Sequence, residues 1–297
     1  MSTATSFKYL PAQMVELLRG MEMSVRGSMD KGLSGNHLSK ALGSSVEFAE
    51  YRDYQPGDPV HRIDWSVYAR TDRHVIRQFL EEVHVQAYVC LDISESMNFK
   101  HTGKMTKLEY AQYLAAGFMY CMVQQGDSAG LVTFDDDIVD FHPAVNSFSA
   151  LAPQLKALET VDVQAKRGDI ENTMHQLCER IPHKALIVVI SDLLQEPDRV
   201  LKGLQHLSHD GKKLTVFHTL DEHEITLPKE GVAELSELET GEEMLIDFRA
   251  VHDAYMTQVT HYLNTLRGGC VNLRANYLLV DTKTEVRDTL FQRSCML

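Results

Sequence analysis

Several things are scarce in this chain, and each scarcity excludes something. Its 297 residues include only five cysteines, at Cys90, Cys121, Cys178, Cys270 and Cys295, and no CxxC or Cys/His spacing suits zinc. They read as free thiols in a reducing compartment. No apolar run approaches the ~20 residues that span a bilayer. The longest, Phe118–Val123 and Ala185–Ile190, are far shorter, and the first residues hold no apolar leader core. The expectation is a cytoplasmic chain without membrane insertion. Basic charge is also short: 29 Lys and Arg face 42 Asp and Glu, a formal net charge of −13. That balance argues against sequence-independent nucleic-acid binding and against an anionic membrane surface. No Walker-type glycine loop, GxGxxG or HExxH occurs, and none of the 14 histidines falls in a ligand spacing. The stretch Gly126-Asp127-Ser128-Ala129-Gly130 spells G-x-S-x-G. A helical pattern precedes that serine and a strand follows, the reverse of a nucleophile elbow. Arg167-Gly168-Asp169 spells an integrin-binding tripeptide, for which a cytoplasmic chain has no use.

What is present is an ordinary globular composition, 44% hydrophobic and 24% charged, in a chain long enough for one large domain or two small ones. Its middle alternates strand and helix patterns. Strands are expected at 83–91, 129–134, 138–141, 186–191, 214–220 and 277–280. Helices are expected at 104–125, 148–159, 169–181, 198–209 and 250–266. Alternation of this kind implies an α/β fold, a doubly wound and mostly parallel sheet with helices on both faces. The flanks differ. Residues 1–30 look helical, 31–45 read as a Gly/Ser-rich loop, and 46–82 and 221–248 read as β-like. The domain expectation is therefore 1–82 as an N-terminal helix and β-rich cap segment, and 83–297 as the α/β domain, with 221–248 inserted as part of the cap.

The most informative run is Cys90-Leu91-Asp92-Ile93-Ser94-Glu95-Ser96-Met97, an apolar strand that empties into Asp-x-Ser-x-Ser. Ligand sites of open α/β sheets lie beyond such strand ends. One carboxylate and two hydroxyls on a tight turn can converge on a hard cation such as Mg²⁺. The same residues could equally form a polar turn that caps its own loop. Ser191-Asp192 follows the apolar strand Leu186–Ile190 and sets a second carboxylate at a strand end, a pair that also serves as a common helix cap. Together, Asp92, Ser94, Ser96 and Asp192 would surround one crevice.

With the upstream block EFAEYRDYQPGDPVHRIDWSVYARTDRHVIRQFLEE, these motifs give the chain its resemblance to a known family. Glu47, Phe48, Tyr51, Arg52, Tyr54, Pro56, Gly57, Asp58, Arg62, Ile63, Asp64, Trp65, Ala69 and Arg70 match its pattern. So do Gly35-x-His37-x-Ser39, Lys104, Gly126-Asp127, Ser191-Asp192, Glu239-Thr240-Gly241 and Asp281-Thr282. From about residue 16 onward the chain resembles the von Willebrand A-type proteins of unknown function found with MoxR-type AAA ATPases in bacteria and archaea. The resemblance implies a metal-ion-dependent adhesion site (MIDAS) of Asp92, Ser94, Ser96 and Asp192 holding Mg²⁺ or Mn²⁺. It also implies two partners, a MoxR-type AAA ATPase and a client protein. Three departures stand out: Ser45 and Pro59 break the upstream pattern, and Gly168 falls where the family's metal site takes a threonine. Glycine brings no side-chain oxygen, so Asp169 or water would have to stand in.

In the upstream block, Gln55-Pro56-Gly57-Asp58 is a turn sequence, and Arg52, Arg62 and Arg70 interleave with Asp53, Asp58 and Asp64. They are expected to form an ion-pair network that is structural or, alternatively, a partner surface, with Trp65 as a core anchor of the cap. The functional expectation is a non-catalytic adaptor that grips protein partners through a divalent-metal crevice. The alternatives are a metal-independent scaffold with a decayed site, and a metal-dependent hydrolase using Asp92 and Asp192.

Overall fold

The computed structural model describes residues 7–19, 38–39, 47–82, 84–101, 104–163, 170–209, 211–236 and 243–293. The chain divides into two compact units, Ser24–His84 and a larger one that joins Met1–Met23 to Val85–Leu297. In chain order the first elements are α1 (Ala12–Leu18), β1 (Leu38–Ser39), β2 (Glu47–Asp53), α2 (Trp65–Thr71) and β3 (Val75–Glu82). The helix α1 belongs to the larger unit, not to the segment that follows it. There it packs on the long helix described below, while β1–β3 and α2 belong to the smaller unit.

In the smaller unit β3 lies between β1 and β2, antiparallel to both. The β-like reading of 46–82 misses α2. Asp64 starts this helix by accepting the Ser66 and Val67 backbone N–H groups at 3.0 and 3.3 Å, and a cap of this kind overrides the strand propensity of Val67 and Tyr68. Trp65, expected in the core, is 55% exposed. It occupies the first helical position, after the cap, and meets the Tyr68 ring edge-on at 5.9 Å. Arg52 grips Asp58 with both carboxylate oxygens at 2.8 and 2.9 Å, and the Gln55 N–H donates to the same carboxylate. The other expected members are dispersed. Asp64 serves α2 and the Tyr51 hydroxyl, Arg70 donates to the Ser66 carbonyl, Asp53 meets Arg73, and Arg62 is half-buried in the 3₁₀ turn Val60–Arg62.

The larger unit continues with β4 (Gln86–Asp92), α3 (Lys107–Gln124), β5 (Ser128–Phe134), β6 (Ile138–Val145), α4 (Phe148–Thr160), α5 (Ile170–Arg180) and β7 (Leu186–Ser191). Then come α6 (Pro197–Leu207), β8 (Lys213–Leu220), α7 (Glu222–Ile225), β9 (Val232–Ser236), β10 (Glu243–Asp247), α8 (Phe248–Asn272), β11 (Asn276–Asp281) and α9 (Val286–Arg293). The six-stranded sheet has the order β11-β8-β7-β4-β5-β6, all parallel except β6 against β5. Counted along the chain from β4, this is the doubly wound order 3-2-1-4-5-6. Winding reverses between β4 and β7, and there the carboxyl ends of two neighbouring strands leave a crevice.

Helices cover both faces. Tyr88 and Cys90 of β4 belong to one buried cluster with residues of α5, α6 and α8. Val89 and Leu91 alternate to the other face, where α3 crosses β4, α4 packs beside α3 over β5 and β6, and α1 and α9 contact α3. Gly117 of α3 lets Met14 of α1 and Leu290 of α9 come close; a Cβ there would sit 2.6 and 2.7 Å from their side-chain tips. Gly126 ends α3 at φ +87°, and the buried Asp127 after it accepts the Val85 N–H at 2.9 Å, fixing the entry of β4. Ser128 opens β5, so helix precedes strand at the G-x-S-x-G stretch.

The 221–248 stretch, expected to be β-like, holds a hairpin and a helical turn. A short helix, α7, comes first, then the antiparallel hairpin β9–β10, which is a separate sheet from β1–β3 and falls in the larger unit. The helix α8 outruns its expected end because Gly269 is a packing position, its Cα pressed against Leu201 of α6, and not a stop signal. The loop expected at 31–45 lies outside the described residues apart from Leu38 and Ser39.

Gly130 sits in the β5–β6 irregularity, and a Cβ added there would lie 2.8 Å from the His142 carbonyl oxygen. Backbone cannot retreat as a flexible side chain can. Gly130→Ala is therefore expected to lower the urea-unfolding free energy by about 1–3 kcal/mol.

Candidate functional site at the sheet switch point

The crevice between β4 and β7 gathers the predicted residues. Asp92 ends β4 and is buried, its Oδ1 accepting the Ser94 N–H at 2.9 Å and its Oδ2 the Ser191 hydroxyl of β7. The chain then turns into the 3₁₀ segment Glu95–Asn98, pinned by the fully buried Met97. This turn presents Ser94 and Ser96, both half-buried, with hydroxyl oxygens 3.2 Å apart. Burial first, then the neighbouring Asp192 carboxylate, pushes the Asp92 carboxyl up to about 6, against the hydrogen bonds from Ser191 and Ser94.

Asp192 lies across the crevice and is already paired. Its Oδ2 accepts the Lys107 ammonium at 2.8 Å, and the same ammonium reaches Glu224 Oε1 of α7 at 2.7 Å. The Lys107 side chain is wholly buried and Asp192 nearly so. Burial alone would pull the Lys107 pKa down; the two carboxylates outweigh it and raise it, so the lysine stays charged. Burial shifts Glu224 upward in spite of the ammonium. Lys107 is the first residue of α3, after the capping box of Thr106 and Glu109. The helix dipole disfavours a cation there, so the lysine owes its place to its two anions.

A second layer fixes Asp192. Its carbonyl meets His218 Nε2 at 2.8 Å, while His218 Nδ1 meets the Tyr277 hydroxyl at 2.5 Å. A carbonyl only accepts, so Nε2 carries the proton and Nδ1 accepts from the tyrosine. Leu193 follows in the left-handed region at φ +50°, costly for a leucine. Its N–H donates to Ser191 Oγ at 2.9 Å and its carbonyl accepts the Tyr262 hydroxyl, which also donates to Gln195 at 3.0 Å. Buried Asp135 stands at the end of β5, the strand beside β4. Thr173 of α5 donates to the carbonyls of Asp135 and Asp136 at 3.2 and 2.7 Å.

The family resemblance implies a divalent cation here, and half of the donor set has the geometry for one. The Ser94–Ser96 oxygen separation is close to the ~3 Å cis edge of an octahedron with ~2.1 Å bonds, and Asp92 adds a carboxylate beside them. The other half is committed, since Asp192 is held by Lys107. Gly168 and Asp169 lie outside the described residues. Among the described residues no three of His, Cys, Asp and Glu converge on a metal position, so any cation here relies on the serine hydroxyls.

Sequence reasoning missed Lys107, Glu224, His218 and Tyr262. It matched Lys104 to the family pattern, three residues short of the lysine that enters the crevice; the Lys104 carbonyl accepts from Lys100. The available signal was a lysine directly after a Thr-x-x-Glu capping box, where an acid is the usual choice.

The strand order, the antiparallel edge strand and Asp-x-Ser-x-Ser at the switch point define a von Willebrand A-like α/β domain. A family model described as "Protein of unknown function DUF58" matches residues 50–264, and the chain belongs to that family. It is 28% identical over 226 residues to uncharacterized proteins of Mycobacterium tuberculosis (strain ATCC 25618 / H37Rv) and Mycobacterium bovis (strain ATCC BAA-935 / AF2122/97), covering 75% of this chain and 70% of each relative. Among solved structures it is similar to BatB from Bacteroides thetaiotaomicron (14% identity, TM-score 0.46, 70% of this chain and 96% of that one). It is also similar to the SpRpn10 VWA domain (12% identity, TM-score 0.42, 70% and 94%). Among the described residues no helix is long and apolar enough to cross a membrane.

His218 yields a pH prediction. Burial lowers its pKa to about 4 from an ordinary 6.5, so the unfolded chain binds its proton first. Its contribution to stability is fully present above about pH 6.5 and is lost as pH falls toward about 4. Asp92, raised to about 6, works in the opposite sense over the same window, so the difference between chains is the readout: in urea unfolding at stepped pH the parent is expected to lose stability relative to His218→Gln as pH falls from about 6.5 to about 4.

Proposed function

We propose that this protein is a non-catalytic adaptor that binds a partner's acidic side chain at the β4–β7 crevice. The observation that carries the reading is the convergence of the Ser94 and Ser96 hydroxyls, 3.2 Å apart, above the buried Asp92 at the point where the winding reverses. Asp92, Ser94 and Ser96 would hold Mg²⁺ or Mn²⁺, with Asp192, and Asp169 beside Gly168 in sequence, completing the set. A divalent ion held there supplies an open coordination position for a partner's carboxylate. The residues do the rest: Ser191 and the Ser94 N–H orient Asp92, and His218 and Tyr262 hold the turn that carries Asp192. By the family resemblance, the partner is a MoxR-type AAA ATPase, and the pair acts on a client protein in chaperone-like assembly or activation in the cytoplasm.

A second reading has its own observation. Because Lys107 already neutralises Asp192, the crevice could be a metal-independent scaffold, with partners bound elsewhere. The hydrolase reading has no comparable support among the described residues, where the serines and the acids are engaged with one another.

A ligand that binds only the folded state raises its stability. Mg²⁺ is therefore expected to raise the Tm of the parent and not of Asp92→Ala, and capture of the ATPase from native extract is expected to require Mg²⁺ and to fail in EDTA. Equal capture in both conditions would favour the metal-independent scaffold.

A further inference from the structure

Among the described residues Lys107 is the buried cation of the crevice; it has no part in holding a divalent ion, and the geometry gives it a different one. We propose that Lys107 is a latch on the crevice: its ammonium occupies Asp192 and keeps that carboxylate out of the ligand set until Lys107 is drawn onto Glu224. This deepens the reading above and rests on it.

Three observations support the latch. The Lys107 ammonium touches both carboxylates, at 2.8 Å to Asp192 and 2.7 Å to Glu224. Letting go of Asp192 therefore leaves it still paired. A buried ammonium with a second anion already in contact can change partners without ever being uncompensated, which is the costly state. Lys107 sits on Asp192 Oδ2, with Oδ1 accepting the Leu194 N–H at 3.3 Å, so a divalent cation approaching Oδ2 meets the like charge of the ammonium there. Finally, Glu224 is the member nearest solvent, and its other carboxylate oxygen accepts the Asp221 N–H at 2.8 Å, so it is tied to α7. It is 18% exposed and sits on the one-turn helix α7, whose cap Asp221 also accepts the His101 N–H from the loop after the serine motif. The Tyr255 hydroxyl of α8 donates to the Glu224 carbonyl at 2.9 Å. A partner that shifts α7 would thus move the anion that competes for Lys107.

The test is Mn²⁺ binding, followed by the loss of the free-ion electron paramagnetic resonance signal, in four chains: the parent, Glu224→Gln, Lys107→Gln/Glu224→Gln, and that pair with Asp92→Ala. The paired replacement removes one cation and one anion together, so the net charge of the three side chains is unchanged and only the ammonium contact is lost. It is expected to tighten Mn²⁺ binding about tenfold or more over the parent, the range typical of second-layer changes at metal sites. Adding Asp92→Ala is expected to abolish that gain. Glu224→Gln alone leaves Lys107 on Asp192 and should bind no more tightly than the parent; tightening there overturns the latch. This conservative change at a partly exposed site serves even if the paired variant fails to fold. Equal affinity in the parent and the paired variant overturns the latch and leaves the metal crevice standing. Binding by the paired variant with none by the parent supports the latch and removes the metal from the parent's resting function. No binding by either overturns both.

Discussion

An ammonium group with no water around it must be met by anions, and much of this molecule is arranged by that requirement. Lys107 opens α3, Asp192 follows β7 and Glu224 lies on α7, so one charge binds three elements that are far apart in sequence. The two contacts are not equivalent. Asp192 is as buried as the lysine, whereas Glu224 borders solvent. Removing the cation would strand a carboxylate at the centre of the unit, a far larger cost than losing an exposed ion pair.

The crevice itself follows from connectivity. A sheet whose second strand is laid to one side of the first, and whose fourth is laid to the other, must leave two neighbouring strand ends with their loops leaving in opposite directions. Here those ends carry Asp92 and Asp192. Carboxylates end or follow the adjoining strands too, with Asp135 after β5, Asp221 after β8 and Asp281 at the end of β11. Most of these are spent on backbone: Asp221 caps α7, and Asp281 accepts the Lys283 N–H. The Asp92–Ser94–Ser96 turn is different, because its two hydroxyls face each other and remain partly open.

The α/β core was legible because its signals are local. Apart from the edge strand β6, its strands are compact apolar runs, and the joining helices have a capped start or an apolar stripe. The site was half legible. Asp92, Ser94, Ser96 and Asp192 announce themselves by their position after apolar strands. Lys107, His218 and Tyr262 act through partners 85, 26 and 69 residues away, and no periodicity reports a contact of that range. Misreadings elsewhere have local causes. A side-chain cap overrode the strand propensity of 65–71, a packing glycine in α8 imitated a stop, and Trp65 took a first-turn position that faces outward. The largely polar helix α9 gave no stripe to read, yet its Thr289 hydroxyl meets buried Tyr110 at 2.7 Å.

The most direct test of this account is a double-mutant cycle on urea-unfolding free energy, combining Lys107→Met with Asp192→Asn. A buried, directly bonded ion pair predicts strong coupling, about 2 kcal/mol or more, because Lys107→Met strands the Asp192 carboxylate, while Asp192→Asn leaves the ammonium on Glu224 alone. Coupling below about 0.5 kcal/mol, the level of independent sites, would mean that the ammonium and the carboxylate do not depend on each other, and would contradict the account at its centre.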